Sequence, residues 1–329
     1  MACGGGTVSL PATTPAAERE TIMVAPEPDR KAHASAAAAP DDALQSELEA
    51  LQAWVGRQET ESDVVTATPC AALSATLDDD ALRPAPGTPL PPLWHWLYFL
   101  PLHRRSEIGA DGHARRGGFL PPVSLPRRMW AGSRFEFHRP LRVGDALTRV
   151  STIDRVQGKS GRSGRLVFAT VRHEIRRDDA GELALTELHD IVYRDAARPD
   201  DRPPSAPPAP AACAWTREWV PDEVLLFRYS ALTFNGHRIH YDRRYATEVE
   251  RYPGLVVHGP LIATLLLELL RAKRPEARVV RFEFRAMRAI FDSHPFAVCG
   301  EPLPDGVTFR LWARDHEGAL AMDAHAGIA

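Results

Sequence analysis

Hydrophobic residues along this chain follow two patterns. From Gly259 to Arg274 the sequence GPLIATLLLELLRAKR is apolar on nearly every side: Leu261, Ile262, Ala263, Leu265, Leu266, Leu267, Leu269 and Leu270 are interrupted only by Thr264 and Glu268. A helix apolar all round is a core helix. Pro260 suits its first turn, where a missing N–H costs nothing. Arg271, Lys273 and Arg274 complement the negative end of its dipole, and Pro275 stops it. About 15 residues is too short for a bilayer, which takes ~20. The second pattern is period-two alternation, the mark of half-buried strands. Phe135 and Phe137 share one face of SRFEFHRPL, and β-branched runs continue through LTRVSTIDRV, RLVFATVRHEIRR and ALTELHDIVYR to Tyr193. After the helix, RVVRFEFRAMRAIF, HPFAVCGEPL, GVTFRLWARD and ALAMDAHA alternate again, with Phe282 and Phe284, then Phe309 and Leu311, on single faces.

Weaker signals fill the rest. Leu44, Leu48, Leu51 and Val55 have helical spacing over 41–55, and ALSATLD reads as a short helix within 63–80. In LPPLWHWLYFLP (Leu90–Pro101), prolines at both ends exclude one long helix. Trp94, Trp96, Tyr98 and Phe99 are expected in the core, with a pocket wall as the sharper alternative. The Gly-rich basic stretch Gly158–Gly164 reads as a hairpin turn, with a phosphate contact as the minor reading; no P-loop helix follows it. ARPDDRPPSAPPAPAA, 197–212, is a proline-stiffened linker. Four parts result: a disordered tail at 1–40, a first domain at 41–196, the linker, and a second domain at 213–329 that opens with Trp215.

Composition narrows the function classes. The 40 basic and 43 acidic residues nearly cancel, so no nucleic acid partner is expected. Cys3, Cys70, Cys213 and Cys299 have no paired spacing, which argues against a zinc site or a disulfide framework and for a reducing, cytoplasmic setting. Residues 1–40 are rich in Ala, Pro and Gly and lack the apolar core of a secretory signal; Met23 is an alternative initiator. No membrane span follows.

The candidate chemistry lies in LTFNGHRIHYDRRYATEVERYPGLVVHGP, just before the long helix. A lone histidine is usually structural. Here Asn235, His237, His240 and His258 fall close together with Asp242, and His258 directly precedes the helix start at Gly259. The Gly259 N–H would point out of a helix N-terminus, where negative charge is favoured. An imidazole that moves protons beside such an N–H is a minimal site for making and quenching an enolate.

These residues resemble the MaoC-like, R-specific enoyl-CoA hydratases of the hotdog fold. Their signature is roughly Gly-Asp-x-Asn-Pro-Ile-His, followed later by a His-Gly pair opening the central helix. Asn235 stands in the Asp place, His237 in the Asn place and Arg238 in the Pro place, while Ile239, His240, His258 and Gly259 match. The wording NGHRIHYDRRYA resembles the subgroup containing mesaconyl-CoA and itaconyl-CoA hydratases and hydroxyacyl-thioester dehydratases, and the likeness runs from about Leu51 to the C-terminus. It implies an α+β double hotdog, two antiparallel sheets each wrapped on a central helix, with one active site per chain because only the second half carries the signature.

The chemistry implied is reversible addition of water to a 2-enoyl-CoA. His240 would take the water proton, Gly259 N–H would stabilise the enolate, and Asn235 would hold the water without accepting its proton. Asp242 or His237 would then have to share the proton traffic. His258 is grouped with the substrate-binding residues. The first half has a basic stretch, 104–142, in which Arg127 and Arg128 sit in a Pro/Gly-rich loop beside Trp130. These arginines are expected to pair an acyl carboxylate, since an unpaired buried carboxylate is costly, with Trp130 as a wall. Arg238 and Arg285 are expected at the CoA phosphates. The preferred substrate is a C5 dicarboxylic acyl-CoA such as mesaconyl-CoA or itaconyl-CoA. No cofactor is expected beyond the CoA of the substrate, and no metal. The alternatives are a 3-hydroxyacyl-thioester dehydratase of fatty-acid synthesis, a hotdog thioesterase using Glu268, and a non-catalytic acyl-CoA binder. A homo-oligomer beyond the internal pairing stays open.

Overall fold

The computed structural model describes residues 42–161, 164–196 and 206–329. The tail expected at 1–40 and the linker residues 197–205 lie outside that range. Ten strands form: β1 (Gln58–Val64), β2 (Arg127–Phe137), β3 (Ala146–Gly161), β4 (Gly164–Arg177), β5 (Leu183–Arg194), β6 (Trp215–Trp219), β7 (Val279–Ala286), β8 (Phe296–Pro302), β9 (Thr308–Arg314) and β10 (Leu320–Ile328). All pair antiparallel in one sheet of order β1-β3-β4-β5-β2-β7-β10-β9-β8-β6. The first five strands therefore make one half and the last five the other: a double hotdog.

Within the sheet the halves join through β2 and β7, with Phe135 opposite Phe282, Arg134 opposite Glu283 and Glu136 opposite Arg281. Each pair contributes on the scale of cross-strand contacts, roughly 0.2–1 kcal/mol. Gly132 is required at one end of this seam, because a Cβ there would stand 2.3 Å from the carbonyl oxygen of Phe284. Phe135 also stacks on Phe282 and Phe284, at 6.0 and 6.4 Å, so one core runs through both halves.

Among the described residues four α-helices accompany the sheet: α1 (Asp42–Leu51), α2 (Ala67–Thr76), α3 (Glu223–Leu232) and α4 (Gly259–Lys273). The long helix α4 is the expected one, with every residue from Leu261 to Leu270 buried, and it packs on β6, β8, β9 and β10. Among the described residues the first half has no helix of this length; α2 and a 3-10 turn at Trp94–Leu97 stand in for it, and α2 packs on α3. Trp94, Tyr98 and Phe99 join the core as expected. Helix α1 packs on β3 and buries Leu44 and Leu51, but it ends before Val55, which is exposed. Helix α3 was not visible in the periodicity; Asp222 starts it by accepting the Leu225 N–H at 2.8 Å. One further correction bears on function. Arg127 and Arg128 lie on β2, opposite Arg194 and Tyr193 of β5, and not in a loop. Within the expected linker, Pro207 O accepts the Leu320 N–H and Ala209 N–H donates to Gly318 O, each at 2.9 Å, pinning the entry to the second half.

Because β7 is paired along the seam, a fragment spanning 213–329 would expose an unpaired, Phe-bearing strand, a template for aggregation. We expect it to be poorly soluble and inactive; size-exclusion chromatography and an enoyl-CoA assay check this, and an active, monomeric fragment would contradict it.

Candidate active site

The segment between α3 and α4 is shaped by local hydrogen bonds. Phe234 takes φ 50°, the left-handed region, at a cost of about 1–3 kcal/mol for a bulky residue. Asn235 follows, donating its N–H to Ser230 O (2.8 Å) and accepting the His237 N–H on Oδ1 (3.0 Å). This is an Asx turn, so the carboxamide oxygen is already engaged. A 3-10 turn, Arg238–His240, then carries His240 inward until its ring is 7 % exposed.

His240 Nδ1 lies 2.7 Å from the carbonyl oxygen of Val256. A carbonyl only accepts, so Nδ1 holds the proton and Nε2 keeps its lone pair. Val256 is itself fixed, its N–H donating to Ile239 O at 3.0 Å, and Val257 N–H donates to Ile290 O at 2.9 Å. Burial lowers the His240 pKa to about 4, opposed by the Val256 bond and reinforced by the charge of His113. The ring is therefore a neutral base at ordinary pH.

His258 lies beneath it. The two rings stack at 3.8 Å and 18°, and His258 is completely buried, with Nε2 2.8 Å from Ser230 Oγ and its ring edge-on to Tyr229. Burial, then His240 and His237, push its pKa well below the usual imidazole range. With no exposed surface it cannot meet CoA; the ring is a platform under His240. Gly259 opens α4 directly after it, and a Cβ there would meet nothing within 4 Å, so the helix N-terminus faces open space. Its N–H has no intrahelical acceptor and is disposed towards an anion.

A first-half loop enters this site. His113 Nδ1 lies 2.9 Å from Asp111 Oδ2, and Asp111 Oδ1 accepts the His113 N–H at 3.0 Å. The His113 ring lies 4.0 Å from that of His237, which stands edge-on to His240 at 5.4 Å. Four imidazoles thus run in file: His113, His237, His240, His258. Burial would raise the Asp111 pKa, yet the hydrogen bonds and charge of His113, with His237, hold it well below the carboxylate range. Burial lowers the His113 pKa, Asp111 pulls it back up, and Arg128 pushes it down. His237 is driven to about 2 by burial, then by His113 and His240. Neither Asp111 nor His113 was foreseen: they lie over 120 residues upstream in an unremarkable Asp-Gly-His.

The remaining expected residues separate. Arg238 is committed to structure: Nη2 pairs with Asp242 at 2.7 Å, Nη1 donates to Ala110 O at 3.0 Å, and the guanidinium lies over Tyr245. Asp242 also accepts the Tyr245 N–H, so neither of its oxygens is left for proton transfer. Arg127 pairs with Glu250 at 3.6 Å and hydrogen-bonds Tyr252, which corrects its expected role as a carboxylate receptor. Arg128 has no ion-pair partner among the described residues, and its charge acts on His113, His237 and His189. Trp130 stacks on His189 at 3.9 Å, donates to Ser133 Oγ at 2.9 Å and lies 6.3 Å from the Phe284 ring, so it packs at the seam between the halves. Arg285 is exposed on β7, between inward-facing Phe284 and the end of the strand. Glu268, buried on α4, accepts from Trp94 Nε1 and Arg271 Nε, each at 2.9 Å; burial raises its pKa against the pull of Arg271.

Asp111, His113 and His237 are also a set whose nitrogen and oxygen atoms all lie within 4.8 Å of one another. The set fits a metal poorly, because Asp111 already binds the His113 Nδ1 proton and the Arg128 charge opposes a second cation. Among the described residues no helix is long and apolar enough to cross a membrane.

The entering loop is locked by close backbone contact. Arg238 N–H donates to Asp111 O at 2.9 Å, and at Gly112 (φ 91°) a Cβ would stand 1.8 Å from Gly236 O. Gly112→Ala should cost about 1–3 kcal/mol in strain and overpacking and lower turnover. Gly117→Ala is the control: similar φ (88°), but only Pro122 Cβ nearby, at 3.8 Å. Thermal unfolding and rate measurements on both variants check this, with the greater loss expected for Gly112→Ala.

The chain was compared with known proteins. The family model described as hydroxyacyl-thioester dehydratase type 2 matches residues 93–292. Mesaconyl-C(4)-CoA hydratase of Chloroflexus aurantiacus is 47 % identical over 274 residues, 83 % of this chain and 95 % of that protein. The mitochondrial hydroxyacyl-thioester dehydratase type 2 of Schizosaccharomyces pombe is 31 % identical over 241 residues, 64 % of this chain and 78 % of that one. Among solved structures, a Mycobacterium tuberculosis protein described as a double hotdog superposes with a TM-score of 0.52 at 14 % identity, covering 83 % of this chain and 96 % of its own. The geometry around His240 and Gly259 and these matches agree: the chain belongs to the hydroxyacyl-thioester dehydratase type 2 family of MaoC-like hotdog hydro-lyases.

Proposed function

We propose that this protein catalyses the reversible hydration of a short 2-enoyl-CoA whose acyl group ends in a carboxylate, a C5 dicarboxylic thioester such as mesaconyl-CoA or itaconyl-CoA. The observation that carries the reading is a neutral, tautomer-fixed His240 together with a half-buried arginine, Arg128, that has no ion-pair partner among the described residues and acts on the neighbouring imidazoles. The likeness to a mesaconyl-C(4)-CoA hydratase supports the same substrate class.

Water adds to the β-carbon as His240 Nε2 takes its proton, and the double-bond electrons move towards the thioester oxygen. Gly259 N–H at the positive end of α4 stabilises that enolate. Asn235 orients water through its carboxamide, whose oxygen is shared with the His237 N–H. The second half supplies the base and the enolate-stabilising N–H, and the first half shapes the acyl end of the pocket through Arg128. The reading needs no cofactor beyond the CoA of the substrate. CoA phosphates fit the exposed Arg285 better than Arg238, which is fully engaged. One runner-up is favoured by a specific match: dehydration of a 3-hydroxyacyl thioester, the activity named for the family and for the fission-yeast relative. The thioesterase reading loses its carboxylate, since Trp94 and Arg271 occupy Glu268.

His240→Ala should fold and lose hydration by roughly 10²–10⁴-fold, the worth of general-base catalysis; near-normal turnover in a folded variant would refute the assignment. Substrate choice is read by loss of the conjugated thioester across mesaconyl-CoA, itaconyl-CoA, crotonyl-CoA and longer 2-enoyl-CoAs. The carboxylated C5 substrates should win. Arg128→Ala should erase that preference by roughly 2–5 kcal/mol, the cost of breaking a buried charge pair, whereas Arg127→Ala should reduce stability and leave the ranking in place. Equal or better turnover of neutral chains by the wild type rejects the dicarboxylate substrate and keeps the hydratase.

A further inference from the structure

The family signature places a carboxylate where this chain has Asn235, so the site is short of one proton-transferring group. Its nearest acidic neighbours in sequence do not replace it: both Asp242 oxygens are engaged, by Arg238 and by the Tyr245 N–H. What the fold brings instead is the loop that enters from the first half.

We propose that His113, oriented by Asp111, is the second proton-transferring group of this site, the imidazolium that protonates the α-carbon while His240 takes the proton of the attacking water. The assignment rests on the hydratase reading above. It stands on four observations. Asp111 binds His113 through both oxygens, one at the ring Nδ1 (2.9 Å) and one at the backbone N–H (3.0 Å). That arrangement fixes Nδ1–H and leaves Nε2 as the exchanging atom, the same tautomer that Val256 imposes on His240. The two rings flank His237, at 4.0 and 5.4 Å. The loop is held in place by the Asp111 O and Ala110 O bonds to Arg238 and by the Gly112–Gly236 contact.

The two imidazoles suit opposite roles because their partners differ. Burial lowers the pKa of both rings, but an anion behind His113 opposes that shift, whereas only a neutral carbonyl backs His240. In hydration, a water O–H bond breaks and its proton passes to His240 Nε2 as oxygen bonds the β-carbon. The double-bond pair moves onto the α-carbon and thioester oxygen. The α-carbon then takes the proton from His113 Nε2, leaving that ring neutral. His240 returns its proton to His113, through His237 or solvent, and the net change is water added across the double bond. Asp111 is a positioning residue in this scheme: it touches His113 and no reacting atom. Arg128 ties the step to substrate choice. Its charge disfavours protonated His113, and an acyl carboxylate paired with Arg128 removes that opposition. A carboxylated substrate therefore promotes its own protonation, and its advantage should appear in kcat as well as in KM.

The test uses the full chain with mesaconyl-CoA and crotonyl-CoA. His113→Gln should lower kcat by roughly 10²-fold or more with KM within about threefold of wild type. In the wild type, kcat should fall as pH rises through the His113 pKa, which burial sets below the ordinary imidazole value. Asp111→Asn removes the anion that favours the imidazolium, so this limb should move to lower pH; in His113→Gln it should vanish. Imidazole added to His113→Ala should restore turnover, which separates lost chemistry from lost structure. A folded His113→Gln with kcat within threefold of wild type, an effect on KM alone, or an unmoved alkaline limb in Asp111→Asn overturns the assignment. So does stoichiometric zinc whose chelation abolishes activity, since Asp111, His113 and His237 would then be ligands. A wild type that hydrates none of the substrates overturns the hydratase reading itself; a wild type that hydrates while His113→Gln keeps its rate overturns this assignment alone.

Discussion

The seam between β2 and β7 is the constraint on which the site depends. It turns two five-stranded halves into one ten-stranded sheet and so fixes where the first half's loops fall on the second. The Phe135–Phe282 and Phe135–Phe284 stacks commit the core to that register, and a one-residue slip would turn every one of those rings to the other face. With the register set, the 109–114 loop reaches the Asn235–Arg238 turn, and Arg238 binds two of its carbonyls. Neither half contains the whole file of imidazoles.

Much of the architecture was legible in the sequence because it rests on short-range periodicity. Phe135/Phe137, Phe282/Phe284 and Phe309/Leu311 announced strands, and the apolar run after Gly259 announced α4. What failed had no local signal. Helix α3 leaves Val224 and Phe227 largely exposed, so its apolar residues do not trace the buried face. The site divides in the same way. His240, His258 and Gly259 were found together because one turn and one helix start bring them together. Asp111 and His113 arrive by tertiary folding alone. Arg127 and Arg128 were indistinguishable as adjacent letters. On a strand, neighbours point to opposite faces, and this sends one to Glu250 and Tyr252 and the other towards the histidines.

Loss of the carboxylate at Asn235 is coupled to what surrounds it. An aspartate there would sit beside His237 and near His113, whose own partner is already an anion. Asparagine keeps the hydrogen bond to the His237 N–H and removes a charge from a crowded electrostatic neighbourhood. The nearby carboxylate is instead Asp111, which binds His113 at Nδ1 and at its backbone N–H. The duplicated half that carries no signature of its own is thereby the half that supplies the anion.

The buried imidazoles, those of the file together with His173 and His189 of the first half, have a cost that reaches beyond catalysis. Burial holds His173 at about 3, His189 and His240 at about 4, and His237 at about 2, with His258 lower than the usual range as well. In the unfolded chain each would titrate near the ordinary ~6.5. Above that value the two states hold the same protons and these rings are neutral to folding. As pH falls below it, the unfolded chain takes up protons that the folded interior refuses, and stability declines down to the folded-state values. Acidification therefore attacks the fold through its buried imidazoles, those of the site included.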